Sequence, residues 1–282
     1  MNALEMNHVT KSYGSFTLND ICLSLPQGTI MGLVGENGAG KTTCLKLLLG
    51  IITADSGALR LLDCDNPRAH REVMERIGVV MDDVKLPPTL KMNEIGGIMA
   101  GIYKQWDAEY FNRLCTQMHI PADTKFSQLS RGNRMKAGIA CALSHNPELL
   151  ILDEATSGLD PVARDELLDV LLEFTRDEKH SVLMSSHIVS DLEKVCDYIT
   201  FLHEGKLILS EEKDVLKESY GVFHCTPAQL AELNRNDITG SRETAYGCEV
   251  IMPKDKIPAG FSSEPVDLEE LFVLMVKGEK HV

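Results

Sequence analysis

The sequence predicts an α/β protein. Its core is a mainly parallel sheet with an inserted helical subdomain, and a small α+β domain follows. Three observations predict this. Short apolar strands alternate with helical runs over residues 1–220, the pattern of βαβ units. Pro87-Pro88 breaks the alternation, and residues 89–145 then read almost entirely as helix, which sets an inserted subdomain at about 86–145. After Tyr220 the patterning changes again, marking residues 221–282 as a separate accessory domain.

In order along the chain, Ala3 to Val9, Phe16 to Leu25 and Thr29 to Val34 are apolar-rich strands, with a turn at Pro26-Gln27-Gly28. A Gly-rich loop, Gly35 to Gly40, leads into a helix from Lys41 to Leu49 that ends at Gly50. Residues 57–62 and 76–81 are further strands. Strands return at Leu149 to Leu152 and Val182 to Ser185, separated by a helix from about Pro161 to Asp177. The last domain reads as strand Val222 to Cys225, helix Pro227 to Leu233, strand Glu249 to Met252 and helix Leu268 to Val276, with no chemical constellation.

Composition narrows the function classes. Of 282 residues, 44% are hydrophobic and 25% charged, as in ordinary globular proteins. No apolar run approaches the roughly 20 residues needed to span a bilayer, and Met1 to Ser12 lacks the apolar core of a signal peptide. A cytoplasmic location is therefore expected. The formal net charge of −14 repels a phosphate backbone, so no nucleic-acid partner is expected. The eight cysteines are widely spaced without a C-x-x-C pair, which suits mostly buried thiols in a reducing compartment and neither a zinc site nor a disulfide scaffold.

Gly35-Glu36-Asn37-Gly38-Ala39-Gly40-Lys41-Thr42 fits G-x-x-x-x-G-K-[ST], a match expected by chance roughly 0.01 times in this length. A strand precedes it and a helix follows, as phosphate binding requires. Glycines let successive backbone N–H groups face inward, and the helix N-terminus adds positive partial charge. Lys41 is expected at the β and γ phosphates and the Thr42 hydroxyl on Mg²⁺, with Thr43 beside them.

Pro147 to Asp153-Glu154 is an apolar strand ending in two carboxylates, 112 residues after Lys41. In a nucleotide hydrolase the first carboxylate, Asp153, faces the metal. The second, Glu154, stays free to polarise the attacking water. Between these motifs lies Leu129-Ser130-Arg131-Gly132-Asn133, with Ser130 in the position of a helix N-cap.

Together these segments resemble the nucleotide-binding subunits of ABC transporters, over about residues 1–220. Leu129 to Asn133 is similar to their signature, Leu-Ser-Gly-Gly-Gln, and Pro147 to Glu154 to their Walker B strand. The resemblance implies a P-loop NTPase core, its mainly parallel sheet accompanied by an antiparallel β subdomain, that binds ATP and Mg²⁺. It implies that Tyr13 stacks on adenine, that Ser157-Gly158-Leu159-Asp160 is the D-loop, and that His187, 33 residues past Glu154, is the switch histidine beside the γ-phosphate. It also implies two ATPase chains head to tail, with Ser130 and Gly132 of each meeting the nucleotide of the other. The chain supplies every part, so a homodimer is permitted and a heterodimer stays open. A separate transmembrane permease is implied, holding the chain at the cytoplasmic face of the membrane. It would dock near residues 82–125, with Met81, Leu86, Met92, Met99 and Tyr103 as contributors.

Two positions depart from the family pattern. Arg131 and Asn133 stand where the signature usually has Gly and Gln, leaving Arg131 to point away from the phosphate or to add charge beside it. Asp82 stands where the family places the Q-loop glutamine, and a carboxylate there can reach Mg²⁺ or repel the γ-phosphate. The acidic loop and the C-terminal extension resemble the ATPase subunits of bacterial ABC-2-type exporters of peptides and antibiotics. The competing reading is a soluble ABC-type ATPase of DNA repair or translation. Only 89 residues separate Lys41 from Ser130, without the heptads of a repair coiled coil, and the chain has a single phosphate loop. Cys44, in the first turn of the phosphate-loop helix, is expected either as an inert packed thiol or as one activated by the helix N-terminus.

Overall fold

The computed structural model describes residues 1–65 and 67–277, and the chain divides into two compact units, Met1–Ser210 and Glu211–Val282. The division falls before α8 (Lys213–Ser219), rather than after Tyr220, because that helix packs on the first strand of the second unit.

The first unit begins with β1 (Asn2–Tyr13) and β2 (Phe16–Pro26), an antiparallel hairpin joined on its other side by β4 (Ser56–Leu61). Alternating burial along β1 and β2 turns Leu4, Met6, Val9, Leu18, Ile21, Leu23 and Leu25 inward. Between β2 and β4 in sequence come β3 (Ile30–Val34) and α1 (Lys41–Leu48). After β4 follow α2 (Arg71–Met74), β5 (Ile77–Val80), α3 (Met92–Ile102), α4 (Ala108–Gln117), α5 (Arg131–Leu143), β6 (Leu149–Asp153), α6 (Pro161–Phe174), β7 (Ser181–Ser186), α7 (Val189–Val195), β8 (Tyr198–His203) and β9 (Lys206–Glu212).

A six-stranded sheet runs in the order β5-β6-β7-β3-β8-β9, and the pairs from β5 through β8 are parallel. Every residue of β3, β6 and β7 is buried. That explains their continuous apolar runs, since a parallel strand covered on both faces has no solvent side. Each fully buried Leu or Ile stabilises the unit by about 1.5–3 kcal/mol relative to exposure, so the strand ends that carry the site are held rigidly.

The expected helical stretch resolves into α3, α4 and α5, with loops at 103–107 and 118–130 where a run of helix was read. The last of these, α5, packs on β5, where a Cβ at Gly138 would crowd Val84 at 3.0 Å and Val80 at 3.2 Å.

In the second unit, after α8, come β10 (Tyr220–Cys225), α9 (Pro227–Glu232), β11 (Gly240–Thr244), β12 (Gly247–Pro253), β13 (Glu264–Pro265) and α10 (Leu268–Lys277). Its sheet has the order β11-β12-β10-β13. Phe223, Cys225, Cys248, Val250 and Met252 form its core. The capping box of Thr226 and Gln229 starts α9. The expected domain end at 278–282 lies outside the described residues.

All eight cysteines are free thiols and six are buried. Among the described residues, no helix is long and apolar enough to cross a membrane.

Candidate nucleotide site

The site gathers at the C-terminal ends of β3, β6 and β7, where loops leave a parallel sheet. The loop after β3 turns through Gly38 (φ 87°) and Gly40 (φ 113°), conformations that side-chain-bearing residues rarely adopt. Gly40 is the N-cap of α1 and no side chain caps that helix. Its first N–H groups are thus left for an anion rather than consumed internally.

Lys41 is 6% exposed, and its Nζ donates to the Gly35 carbonyl at 2.6 Å and the Glu36 carbonyl at 3.4 Å. It also lies 3.1 Å from Glu154 Oε1. The ammonium is therefore folded back into its own loop, against the groups a phosphate would displace.

Asp153 closes β6 with both oxygens engaged. Thr42 Oγ1 donates to Oδ2 at 2.9 Å, and Ser185 Oγ donates to Oδ1 at 2.6 Å. Parallel register sets Ser185 beside Asp153. Glu154 follows with φ 53°, a left-handed backbone that costs about 1–3 kcal/mol for a non-glycine residue. Its N–H donates to the Ser185 carbonyl, and its Oε2 accepts from His187 Nδ1 at 2.6 Å. Glu154 thereby bridges Lys41 and His187.

These residues wall a cavity of about 300 Å³ lined by Phe16, Glu36, Asn37, Gly38, Gly40, Lys41, Thr42, Thr43, Asp82, Asp153 and Glu154. Gly35 and Ala39 shape the loop from behind: a Cβ on Gly35 would meet the Leu202 carbonyl at 2.5 Å, and the Ala39 carbonyl accepts from Gly205 N–H at 2.9 Å. The two oxygens of Thr42 and Asp153, with Asp82 on the same wall, are the hard donor set Mg²⁺ takes beside phosphate. The residues fit that ion.

Other expected residues lie outside this cavity. Tyr13 is 45% exposed and does not line the cavity. Its cross-strand partner Phe16 supplies the aromatic ring there. Ser130 caps α5, its Oγ accepting from Asn133 N–H at 3.2 Å. Gly132 packs toward Leu159. Neither Ser130 nor Gly132 lines this chain's own cavity. Asp160 caps α6, accepting from the Ala163 and Val162 N–H groups, and these bonds hold its carboxyl below the usual range. Met92 is 1% exposed and belongs to the core, not to a docking surface.

The activated-thiol reading of Cys44 is overturned. The side chain is 1% exposed, and burial pushes its pKa up to about 12. Maleimide labelling of the folded protein is expected to spare Cys44 with or without nucleotide while modifying exposed Cys22; labelling of Cys44 mapped by mass spectrometry would contradict its burial.

Sequence reasoning missed Phe16, Ser185 and His203, whose Nδ1 donates to Glu36 Oε1 at 2.6 Å and braces the phosphate loop. It also missed the partner of Asp82. Arg131 Nη2 donates to Asp82 Oδ1 at 2.5 Å, so the two departures from the family pattern meet each other.

A parallel α/β core whose Gly-rich loop, lysine and strand-end carboxylates converge on one cavity defines a P-loop nucleotide hydrolase. Comparison with known proteins fixes its kind. The "ABC transporter" family model matches residues 18–157. "ABC transporter ATP-binding protein YtrB" of Bacillus subtilis (strain 168) is 30% identical, over 98% of this chain and 99% of that one, so the similarity includes the second unit. "Lantibiotic transport ATP-binding protein SrtF" of Streptococcus pyogenes is 33% identical over 75% of this chain and 91% of that protein. A solved structure described as "Structure of ATP binding subunit of ABC transporter" superposes with TM-score 0.68 at 26% identity, covering 76% of this chain and 92% of that one. The chain belongs to the ATP-binding subunits of ABC transporters. It is an ATPase that powers a transporter.

Proposed function

We propose that two copies of this chain enclose ATP between them and drive a separate transmembrane partner in the export of a peptide or antibiotic-like compound. One observation carries the reading: Lys41, Thr42, Asp153 and Glu154 line one cavity, and direct contacts, bridged by Ser185, link them to one another and to His187 behind them. Lys41 and the uncapped N–H groups of α1 bind the phosphates, trading the Gly35 and Glu36 carbonyls and Glu154 for phosphoryl oxygens. Thr42 and Asp153 hold Mg²⁺, with Asp82 able to join them. That ion, when bound, neutralises charge on the β and γ phosphates. Glu154 takes the proton of the attacking water, and His187 orients it through their short hydrogen bond.

Ser130 and Gly132, outside their own chain's cavity, are free to meet the nucleotide of a second chain. Loss of the terminal phosphate then loosens the pair. A homodimer needs no other ATPase chain; a heterodimer would bring a second, different ATPase chain into the purification below. The apolar cavity of about 530 Å³ beside β5, lined by Met81, Val84, Leu86, Met99, Tyr103 and His145 among others, suits a docking element of the membrane partner. Such docking places the chain at the cytoplasmic membrane face. The export substrate class follows the lantibiotic-transport relative.

The test is purification of the tagged chain from detergent-solubilised membranes. An integral membrane protein recovered with it, and ATPase activity stimulated by the cargo peptide, are expected. Recovery of ribosomes or DNA instead would favour the soluble ABC-type reading.

Tyr13 and Phe16 face each other at the hairpin end and together take the adenine. Base–aromatic stacking is worth about 1–3 kcal/mol. Tyr13→Ala and Phe16→Ala are therefore each expected to raise the KM for ATP about tenfold with kcat nearly unchanged. A fall in kcat at unchanged KM would move base recognition elsewhere.

A further inference from the structure

The loop after β5 and the start of α5 lie 49 positions apart in sequence and are joined by Asp82 and Arg131. Asp82 is a shared wall. It lines the phosphate cavity with Lys41, Thr42, Asp153 and Glu154, and a second cavity of about 350 Å³ with Asp83, Val84, Arg131, Arg134 and Met135. The Arg131 stem lies over Gly158, where a Cβ would meet its Cδ at 3.5 Å and its Nε at 3.7 Å. One side chain thus reaches from the loop ahead of α6 to the rim of the nucleotide cavity.

Charge makes this connection more than incidental. The phosphate cavity is lined by four carboxylates, Glu36, Asp82, Asp153 and Glu154, against one lysine. Three of these have direct hydrogen-bonding or ion-pair partners on the cavity side or behind it: Glu36 with His203, Asp153 with Thr42 and Ser185, and Glu154 with Lys41 and His187. For Asp82 that partner is Arg131. A polyanionic triphosphate entering beside an uncompensated carboxylate is repelled, whereas the same carboxylate turned toward a guanidinium presents little net charge.

We propose that Arg131 is a positioning residue for nucleotide binding: it holds Asp82 at the cavity rim and offsets its charge, so that the pair replaces a neutral side chain at this place. The proposal rests on the cavity being the ATP site. The side chains are 60% and 49% exposed, and exposed ion pairs contribute only about 0–1 kcal/mol to folding. Little stability is therefore at stake in the pair. Its consequence lies in which way Asp82 faces when phosphate arrives.

A double-mutant cycle on ATP affinity tests this, using Arg131→Gln, Asp82→Asn and the combination, with ATP binding measured calorimetrically in the full chain. Arg131→Gln is expected to weaken ATP binding roughly fivefold, about 1 kcal/mol. The same Arg131→Gln change made on the Asp82→Asn background is expected to alter ATP affinity by less than about twofold, because removing the carboxylate removes the need for its partner. Arg131→Lys keeps the charge but not the fork, and is expected to fall between parent and Arg131→Gln.

Thermal unfolding run alongside separates misfolding from lost compensation, since the double variant would not rescue a structural defect of α5. An Arg131→Gln variant with parental affinity would overturn the proposal. So would an equal, roughly fivefold loss when Arg131→Gln is added to Asp82→Asn. Absence of ATP binding by the parent chain would instead overturn the reading of the cavity itself.

Discussion

Glu154→Gln is expected to bind ATP as tightly as the parent or tighter, to lose about 10²–10⁴ in turnover, and to remain as an ATP-bound dimer. The substitution is nearly isosteric, so the left-handed backbone at φ 53° and the hydrogen bond to His187 are retained in shape. Two things change. The amide cannot take a proton from water, which removes the base. The negative charge 3.1 Å from Lys41 also disappears, which frees that ammonium for phosphate. Affinity and rate therefore move in opposite directions, a pattern that general destabilisation does not produce. Glu154→Gly separates strain from chemistry: it relieves the backbone cost yet is expected to be as inactive as the glutamine variant. Calorimetric ATP titration, phosphate release and light scattering with and without ATP check all three expectations. Parental turnover in Glu154→Gln would show that another group takes the proton.

How much of this was legible in the sequence depends on how local each feature is. The phosphate loop reads directly, because its glycines, lysine and threonine are contiguous and their conformation is set by short-range sterics. The buried strands β3 and β6 read as apolar runs because both of their faces are covered. In contrast, β9 is only half-buried and β11 is exposed over most of its length, so neither carries a hydrophobic period to detect. Ser185 becomes part of the site only through the β6–β7 register, which no local pattern encodes. Phe16 and Tyr13 are adjacent across a hairpin, and it is Phe16, which no spacing in the sequence singled out, that lines the cavity wall. For Cys44 the local cue, a helix N-terminus, was real but smaller than the desolvation of a thiol facing the core. Asp82 and Arg131 were each recognisable as departures, yet their mutual compensation required the fold.

Asp153→Ala tests whether that strand-end carboxylate holds the metal or merely the fold. The side chain is 2% exposed and accepts from two hydroxyls, Thr42 and Ser185. Truncation leaves both hydroxyls without this acceptor, a penalty of about 1–3 kcal/mol for each that stays buried and unpaired. It also removes the cost of burying an anion, which acts in the opposite direction. A modest fall in thermal midpoint is therefore expected, and Ser185→Ala, which orphans one oxygen and leaves Thr42 paired, should reproduce part of it without touching the metal side. Turnover in Asp153→Ala is expected to fall by at least about 10²-fold, the scale of losing one preorganised charge-stabilising group. The decisive comparison is ATP affinity with Mg²⁺ against ATP affinity in EDTA. The parent and Ser185→Ala should bind more tightly with the ion, whereas Asp153→Ala should be nearly indifferent to it, because Thr42 alone offers a neutral ligand. If Asp153→Ala kept the parental Mg²⁺ response, the ion would have to be anchored by another carboxylate on the same wall, and Asp82, released from Arg131, is the one placed to do so.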